Sequence, residues 1–508
     1  MRKRRLIVEN KFANALKEIN TYGLTENGGV KKTTTGSKLY DMFALGGAYR
    51  TRSDVDVVLL FKNAYEENPV YALKCLFYLR DVRGGQGERR FFRTCMRWLA
   101  RTHTEAAARN LKHIPEYGRW DDLYVFEGTS LEKEMFDFIK GQLALDVQCK
   151  TPSLLAKWLK SENTSSAESR RLAGKTRIAM GMSHKQYRKT LSILRERINV
   201  LERLMSAGKW DEIEFDKIPS RAGMIYRNAF ARHDIEREQN KEVKTYKDFM
   251  MDATTTVNAK DLYPYECVAK VVNKMNYWNC LLTIDELERA VINKYWDNIP
   301  NVMEDTSLNA LVVCDTSGSM YGTEASAPIN VAVSLAMYFA ERAQGPFKDH
   351  YVAFSSNPRL VKVEGVDFVD KAHRIIKSNI VENTNLHAAF DMLLNTAVAN
   401  KCSQKELPEY LLVISDMEID RGSRIGCAFN PTTEIEGIRA KWASYGYEMP
   451  KLVWWNVQAR NNTILDNDPN ATYVSGFSPA IFKQLMTGQT GYELMMTALD
   501  SDRYKVIK

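Results

Sequence analysis

The first three hundred residues repeat an apolar spacing that is typical of helices. Between 186 and 206, apolar side chains recur every three or four positions, on one face of a helix: Leu191, Leu194, Ile198, Leu201 and Met205. An earlier helix is predicted to begin at Pro69, because proline suits the first helical turn, and to end before the glycine-rich segment 83–87. A further helix is predicted after this segment, which favours a tight αα turn. The glycine-rich sequence also allows a backbone anion nest.

More segments of the same kind fill the front of the chain, where strand-like alternation is scarce. The further predicted helices are 104–113, 131–145, 152–160, 221–232, 243–250, 263–276 and 284–296. Consecutive helices with short loops favour a HEAT-type α-solenoid or ring over 36–304, with a compact helical bundle as the alternative. Residues 1–35 form an N-terminal arm to which the pattern assigns no structure.

After residue 305 the pattern changes to short apolar runs that alternate with helices. Strands are predicted at 310–314, 351–354, 410–415, 451–456 and 471–475, and helices at 328–343, 386–399 and 433–445. Short apolar runs are typical of buried parallel strands, and their alternation with helices predicts a doubly wound α/β domain over 305–508. The predicted fold class is therefore multidomain, with an α domain followed by an α/β domain.

Length and composition are those of an ordinary globular protein with more than one domain. The chain has 508 residues, of which 44% are hydrophobic and 26% charged. No apolar run approaches the roughly 20 residues that span a bilayer, and the apolar stretch after the basic N-terminus is too short for a signal peptide. The eight cysteines form no C-x-x-C pair. We therefore expect a cytoplasmic protein with reduced thiols and no membrane partner.

Charge is divided unevenly between the two halves. Residues 1–300 hold 52 basic and 39 acidic residues, whereas 301–508 hold 19 and 24, so the balance is +13 in front and −5 behind. The densest basic patch is 170–209, with eleven Lys or Arg against Glu196 and Glu202. Such a patch is either a solvated helix face or a surface for a polyanion.

Oxygen-bearing side chains follow two predicted strands and precede one predicted helix. Asp315-Thr-Ser-Gly-Ser319 comes directly after the first strand, Asp416 follows a central strand, and Thr384 lies just before a helix. Because ligands bind at the carboxyl ends of strands in this fold, we expect these side chains to converge. Oxygen ligands suit Mg²⁺ or Mn²⁺ rather than zinc. With one coordination position left open, the predicted metal ligands are Asp315, Ser317, Ser319, Thr384 and Asp416.

This constellation resembles the metal-ion-dependent adhesion site of von Willebrand factor type A domains. A helical region followed by such a domain resembles the TROVE family of Ro-like ribonucleoproteins, in an uncharacterised branch. The segments that carry the wider resemblance are RDVRGGQGE at 80–88, YGRWDDL at 117–123, IPSRA at 218–222 and LYPYE at 262–266. The chain departs from the type A pattern at Glu382-Asn383, where a glycine-rich approach to the threonine is usual.

The resemblance implies that the helical repeats close into a ring, which the type A domain bridges. Structured RNA would bind the outer basic face, and the single-stranded 3′ end of a misfolded RNA would thread the hole. A protein partner would give a carboxylate to the metal. The rings of His184 and Tyr187 in the basic patch could stack on bases. The candidate RNA contacts of the patch are Arg170, Arg171, Lys175, Arg177, His184, Lys185, Tyr187, Arg188 and Lys189.

The sequence therefore predicts a monomeric RNA-binding scaffold rather than an enzyme. No Ser-His-Asp or Cys-His arrangement is recognisable, and the histidines show no H-x-x-x-H spacing. One alternative is an assembly scaffold or ATPase adaptor, whose helical half binds protein instead of RNA. A metal-dependent nuclease is a weaker alternative, because the metal site of type A domains usually binds ligands without chemistry.

Overall fold

Helices occupy the front of the chain, and a six-stranded sheet lies in the back. The computed structural model describes residues 21–240, 242–276, 280–304, 309–354, 357–378, 385–419, 434–465, 471–485 and 490–508. Within these ranges no helix is both long enough and apolar enough to cross a bilayer.

The front region is built from helices joined by short connections. The helices α1–α8 are Lys38–Leu45, Asp54–Glu67, Pro69–Arg80, Arg89–Thr102, Thr104–Leu111, Ile114–Tyr117, Glu132–Gln148 and Leu155–Trp158. They are followed by α9–α16, which are Ala167–Met180, His184–Arg197, Leu201–Ser206, Ser220–Arg232, Asp234–Glu238, Tyr246–Met251, Pro264–Val272 and Glu286–Asp297. The helical character of the front region is confirmed, while the choice between solenoid, ring and bundle stays a prediction.

Local sequence explains the boundaries of α3. Asn68 caps its start, because the side-chain Oδ1 accepts a hydrogen bond from the Tyr71 N–H at 3.2 Å, directly before Pro69. Beyond its end, the N–H groups of Gln86 and Gly87 donate to backbone carbonyls of the last turn of α3 and its cap, at 3.2 and 3.0 Å. The glycine-rich segment therefore forms a tight turn between two helices, in which the N–H groups of Gln86 and Gly87 are used within the protein.

The helix predicted over 186–206 is divided into two. α10 ends at Arg197, and α11 begins only at Leu201. Between them, Asn199 takes the left-handed conformation with φ of 49°, which stops a helix and which asparagine tolerates better than most residues. Apolar spacing continues through this break, so the periodicity did not reveal it.

The N-terminal arm contains a β-hairpin that packs against the back of the chain. Its strands β1 (Tyr22–Leu24) and β2 (Val30–Lys32) are antiparallel. Lys32 exchanges both backbone hydrogen bonds with Ile464, at 2.8 and 2.9 Å, so the hairpin is bonded to the α/β region. Strands of three residues carry too little alternation for a sequence pattern to find them.

The sheet in the back region is mixed. Its order is β5-β4-β3-β6-β7-β8. In chain order, the strands β3–β8 are Ala310–Asp315, His350–Phe354, Arg359–Lys362, Tyr410–Ser415, Lys451–Asn456 and Thr472–Ser475. All neighbours pair in parallel except β4 and β5, which are antiparallel. The predicted parallel sheet is thus wrong at one edge, because the connection from β4 to β5 is too short for a parallel crossover.

Six helices are described in the back region. In chain order, α17–α22 are Pro328–Arg342, Phe368–Ser378, Leu386–Ala399, Glu434–Ser444, Phe482–Leu485 and Gly491–Leu499. The helix Phe368–Ser378 was not predicted from the sequence. Helices between parallel strands leave the carboxyl ends of β3 and β6 free to carry functional loops at the centre of the sheet.

The helical and α/β regions share one continuous apolar core. Trp296 of α16 stacks on Phe368 of α18, with ring centroids 4.0 Å apart. On another side, Gly47 packs so closely against β8 that a Cβ there would lie 2.7 Å from the Ser475 carbonyl oxygen. Contacts of this kind fix the position of the helical region against the sheet.

Candidate metal centre and basic cavity

The D-x-S-x-S segment forms a tight loop at the end of β3. Ser317 donates its backbone N–H to Asp315 Oδ1 at 2.9 Å, and the hydroxyl oxygens of Ser317 and Ser319 lie 3.2 Å apart. Thr316 bonds in another direction, since its N–H and its hydroxyl both donate to the Phe354 carbonyl oxygen, at 3.0 and 3.2 Å. Three of the predicted metal ligands therefore lie together in one loop.

The end of β6 brings a second carboxylate to the same place. Because β3 and β6 are parallel neighbours, Ser415 reaches across and donates its hydroxyl to Asp315 Oδ2 at 2.5 Å. The next residue, Asp416, is buried, and its Oδ2 has no hydrogen-bond donor within the described ranges. These side chains form what we call the carboxylate edge: Asp315, Ser317, Ser319 and Asp416.

The backbone just after Asp416 is strained. Met417 has φ of 66°, in the left-handed region that residues with a Cβ rarely adopt. Its N–H donates to the Ser415 hydroxyl at 2.9 Å, and the N–H of Glu418 donates to Asp416 Oδ1 at 3.2 Å. Strained conformations of this kind persist where surrounding contacts hold them, and they are concentrated at functional sites.

Two buried carboxylates at one edge make the local electrostatics unfavourable. Burial first, and then the negative charge of Asp416, raise the pKa of Asp315 to about 7. Burial also raises the pKa of Asp416, against the opposing effects of the Glu418 N–H and the Arg460 guanidinium. Buried like charges are costly unless a counter-charge joins them. Oxygen donors in such a place fit a hard divalent cation such as Mg²⁺ or Mn²⁺.

The carboxylate edge alone offers few charged ligands. Within the described ranges, no group of three or more His, Cys, Asp or Glu side chains could hold a metal ion. Hydroxyl groups and water would therefore complete the coordination of a cation here. Thr384, the remaining predicted ligand, lies outside the described residues, so its part in the site stays a prediction.

A large cavity lies in the helical region. Its volume is about 1370 Å³, and Ser478, Pro479 and Ala480 of the α/β region contribute to its wall. Eleven Lys or Arg residues line it, against four Asp or Glu. This excess of positive charge suits an anionic ligand, and we call the space the basic cavity.

Some of the cations in this wall are neutralised inside the protein, and others are not. Arg80 pairs with Asp122 and Arg119 with Asp121, each at 2.6 Å. In the part of the chain that the structure describes, four side chains of the wall have neither a hydrogen-bond nor an ion-pair partner: Arg89, Lys157, Arg188 and Lys260. The positive charge of these four groups is therefore available to a ligand.

Arg89 is the most confined of the four. It is the first residue of α4, and its Nε is buried without a hydrogen-bond partner among the described residues. Burial, together with the guanidinium groups of Arg119, Arg80 and Arg93, lowers the pKa of Arg89 to about 10. An anion placed among these groups would relieve their repulsion, and arginine binds phosphate with parallel hydrogen bonds.

Four aromatic side chains line the same wall: Trp158, Tyr187, Tyr226 and Tyr263. Trp158 and Tyr226 are both half-buried, and the Arg119 guanidinium lies 3.9 Å from the Trp158 ring centroid. Partly open rings beside cations are the combination with which proteins bind single-stranded nucleic acid.

The fold disperses the RNA contacts that were predicted in the basic patch. Arg188 lies in the wall of the basic cavity, whereas Lys185 and Lys189 are exposed outside it. Tyr187 is fully buried and donates its hydroxyl to the Lys160 carbonyl oxygen at 2.9 Å. Tyr187 also borders the basic cavity, but its ring is fully buried there, so a base could stack on it only after the ring became exposed.

Carboxylates from other segments neutralise much of the remaining patch. Glu127 pairs with Arg171 at 2.7 Å and also with Lys175. Glu162 accepts from Arg177 at 2.9 Å and lies 2.8 Å from His184. Arg170 donates to backbone carbonyls at 2.6 and 2.8 Å. These residues therefore already have partners within the protein. Local charge density did not reveal Arg89, Lys157 and Lys260, because they lie outside the patch along the chain.

Together, these features define a class of protein in which a helical region with a basic cavity precedes an α/β region with paired buried carboxylates. The chain belongs to the family described as "Domain of unknown function (DUF2828)", whose model matches residues 25–137 and 142–308. A second model, described as "Domain of unknown function (DUF7788)", matches residues 309–504. Neither description states an activity.

Two similar proteins extend over most of the chain. A protein of Acanthamoeba polyphaga mimivirus, described as uncharacterized, is 28% identical over 505 residues, which cover 92% of this chain and 84% of that protein. The crystal structure of the Deinococcus radiodurans RO (RSR) protein aligns with a TM-score of 0.45 and 13% identity, over 92% of this chain and 99% of that one. A structural similarity at this level carries no argument, so the resemblance to the TROVE and type A families stays a prediction.

Proposed function

We propose that this protein is an RNA-binding scaffold, which takes a single-stranded segment of RNA into the basic cavity. The observation that carries the proposal is the set of four cavity cations without partners among the described residues: Arg89, Lys157, Arg188 and Lys260. They add to a wall in which Lys and Arg side chains outnumber Asp and Glu side chains by eleven to four. Phosphates spaced along a flexible chain supply several negative charges to such a surface at once.

The size and lining of the cavity favour a polymer segment over a small metabolite. Its volume of about 1370 Å³ exceeds the roughly 300–1,000 Å³ of typical small-molecule pockets. Trp158 and Tyr226 offer rings on which unpaired bases can stack, and each stacked base contributes about 1–3 kcal/mol to binding. A duplex keeps its bases stacked on one another, so these rings favour a single strand.

The carboxylate edge supports a second part of the proposal. Asp315, Ser317, Ser319 and Asp416 would hold Mg²⁺ or Mn²⁺, with Thr384 as a further ligand. A bound cation supplies an open coordination position for a carboxylate of a protein partner. What supports this part is the pair of buried carboxylates, for which the described residues supply one cation, Arg460, at 3.7 Å from Asp416. The role proposed for the edge is binding; Mg²⁺-dependent RNA cleavage that Asp315→Ala removes would instead reveal a nuclease.

Two neighbouring residues of α10 provide a matched test of the cavity. Arg188 lies in the cavity wall, whereas Lys189 is exposed outside it. Arg188→Gln is expected to weaken the binding of a fluorescent single-stranded RNA, whereas Lys189→Gln should leave it nearly unchanged, although each variant removes one charge. Fluorescence anisotropy at low salt measures both affinities.

The outcomes separate the competing functions. Equal weakening by the two variants would place RNA on the outer basic face and not in the cavity. If the protein purifies free of nucleic acid and binds no RNA at low salt, the RNA proposal is wrong, and an assembly or ATPase-adaptor scaffold that binds acidic protein becomes the better explanation.

A further inference from the structure

Arg460 lies where three parts of the molecule meet at the carboxylate edge. Its Nη2 donates to the Ser319 carbonyl oxygen and lies 3.7 Å from Asp416 Oδ2. Its Nη1 lies 3.3 Å from the Oε2 of Glu26, in the loop of the N-terminal hairpin. One positive charge thus stands between a carboxylate of the edge and a carboxylate of the hairpin.

The hairpin loop is tied to the chain that carries Asp416. The N–H of Glu26 donates to Glu418 Oε2 at 2.7 Å, and the Thr25 hydroxyl donates to the Ile419 carbonyl oxygen at 2.6 Å. Glu418 and Ile419 lie two and three residues after Asp416, in the segment that follows β6. Hydrogen bonds to Glu418 and Ile419 therefore hold Glu26 near the carboxylate edge, and its position does not depend on Arg460 alone.

The contact between Arg460 and Asp416 is an incomplete one. At 3.7 Å it is longer than a hydrogen bond, and Asp416 Oδ2 has no donor within the described ranges. A divalent cation would approach this oxygen to about 2.0–2.6 Å and would carry twice the charge of the guanidinium. Two cations beside one oxygen repel each other, and the repulsion scales with the product of their charges.

Glu26 offers the Arg460 guanidinium an alternative ion-pair partner. Its carboxylate is exposed at the rim of the edge and already contacts Nη1 of Arg460. The Arg460 side chain is 31% exposed, so it has room to shift towards Glu26 when a cation displaces it from Asp416. The same arginine can therefore serve two carboxylates in turn.

We propose that Arg460 sets the affinity of the carboxylate edge for its cation: it balances Asp416 while no cation is bound, and it pairs with Glu26 alone once a cation binds. This inference rests on the proposed cation site. It adds that Arg460 competes with the cation for Asp416 and that Glu26 binds Arg460 when the cation displaces it. Cation binding and the docking of the hairpin then favour each other, and this coupling is reciprocal.

A double-mutant cycle tests the proposal through Mn²⁺ affinity, measured by isothermal titration calorimetry on the full chain. Arg460→Gln removes the competitor and is expected to tighten Mn²⁺ binding by about five- to tenfold. Glu26→Gln is expected to weaken it by about threefold, because Arg460 then stays at Asp416. In the Arg460→Gln background, Glu26→Gln should have no further effect.

Each contrary result has a distinct meaning. Unchanged or weaker binding in Arg460→Gln would overturn the proposal, and so would a Glu26→Gln effect that persists without Arg460, since that is a plain charge effect. If Arg460→Gln does not fold, which circular dichroism shows, unchanged affinity in Glu26→Gln overturns the proposal instead. Wild-type protein that binds no Mn²⁺ contradicts the cation site itself. Binding that Asp416→Asn abolishes but that Arg460→Gln leaves unchanged contradicts only the role of Arg460.

Discussion

The four partnerless cations of the basic cavity make the RNA proposal quantitative. The variant replaces four residues by glutamine: Arg89, Lys157, Arg188 and Lys260. It removes four positive charges, and the new side chains are still long and polar. On a single strand, each phosphate that a cation neutralises contributes about −0.7 to the slope of log K against log salt concentration. Four contacts therefore give a slope of about −2.8, which is an affinity loss of about 50-fold between about 50 and 200 mM salt.

A charge-matched control separates the cavity from the net charge. The control variant replaces two exposed arginines and two exposed lysines that do not line the cavity: Arg97, Arg101, Lys140 and Lys150. Fluorescence anisotropy with a labelled single-stranded RNA, over a series of salt concentrations, gives the slope for each protein. The cavity variant is expected to have a slope shallower than that of the wild type by about 2.8, whereas the control keeps most of the wild-type slope.

Two results would refute this account of the cavity. Equal flattening of the slope in the cavity and control variants would mean that RNA responds only to the overall charge of the protein. A wild-type slope in the cavity variant would mean that these side chains contact no phosphates. Thermal unfolding of both variants shows whether either substitution set disturbs the fold.

Further predictions concern the carboxylate edge and the core. Asp315→Asn is expected to abolish Mg²⁺ and Mn²⁺ binding in calorimetry, and retained binding would contradict the cation site. In EDTA, the stability of the wild type relative to Asp315→Asn should fall as the pH rises from about 4 to about 7, because the raised pKa of Asp315, about 7, means that the folded state holds that proton more tightly than the unfolded state; a stability difference that does not change with pH in thermal unfolding would contradict this. Tyr187→Phe should lower the free energy of unfolding measured in urea by about 1 kcal/mol, because it loses the hydrogen bond to the Lys160 carbonyl oxygen; unchanged stability would contradict this. Gly47→Ala should lower the unfolding free energy measured in urea by about 1–3 kcal/mol, because its Cβ would lie 2.7 Å from the Ser475 carbonyl oxygen.

The centre of the sheet could be predicted because its strands are continuous apolar runs. β3 and β6 are buried along almost their whole length, so hydrophobicity alone marks them in the sequence. β5 could not be predicted in this way, because Arg359–Lys362 is short, polar at both ends and nowhere fully buried. Edge strands of this kind depend on the neighbouring strand for their structure, and a local pattern does not show that neighbour.

The carboxylate edge was predictable for a related reason. Parallel pairing of β3 and β6 brings the residues that follow them to one edge, so Asp315 and Asp416 meet wherever the two strands form. The contact of Arg460 with this edge could not be predicted, because it depends on the path of the loop after β7. The role of Glu26 was equally hidden, since the hairpin that carries it leaves no periodic pattern.

The basic cavity shows where local charge density misleads. The density of Lys and Arg pointed to 170–209, but Glu127 and Glu162, which lie earlier in the chain, neutralise several of those cations. The cations that remain without partners come from four separate stretches, and only the fold brings them into one wall. The net charge of a sequence segment indicates whether its partner is positively or negatively charged. The position of the binding surface depends on which charged side chains already form ion pairs within the fold.

The most direct test of the RNA proposal compares two RNAs that share one hairpin stem. One carries a free single-stranded 3′ tail and the other has a blunt end, and the affinity of the wild-type protein for each is measured over a series of salt concentrations. The account predicts tight binding of the tailed RNA that weakens steeply with salt, and much weaker binding of the blunt RNA, because only a free strand enters the basic cavity. Equal affinity for the two RNAs, or no binding of either at low salt, would contradict it.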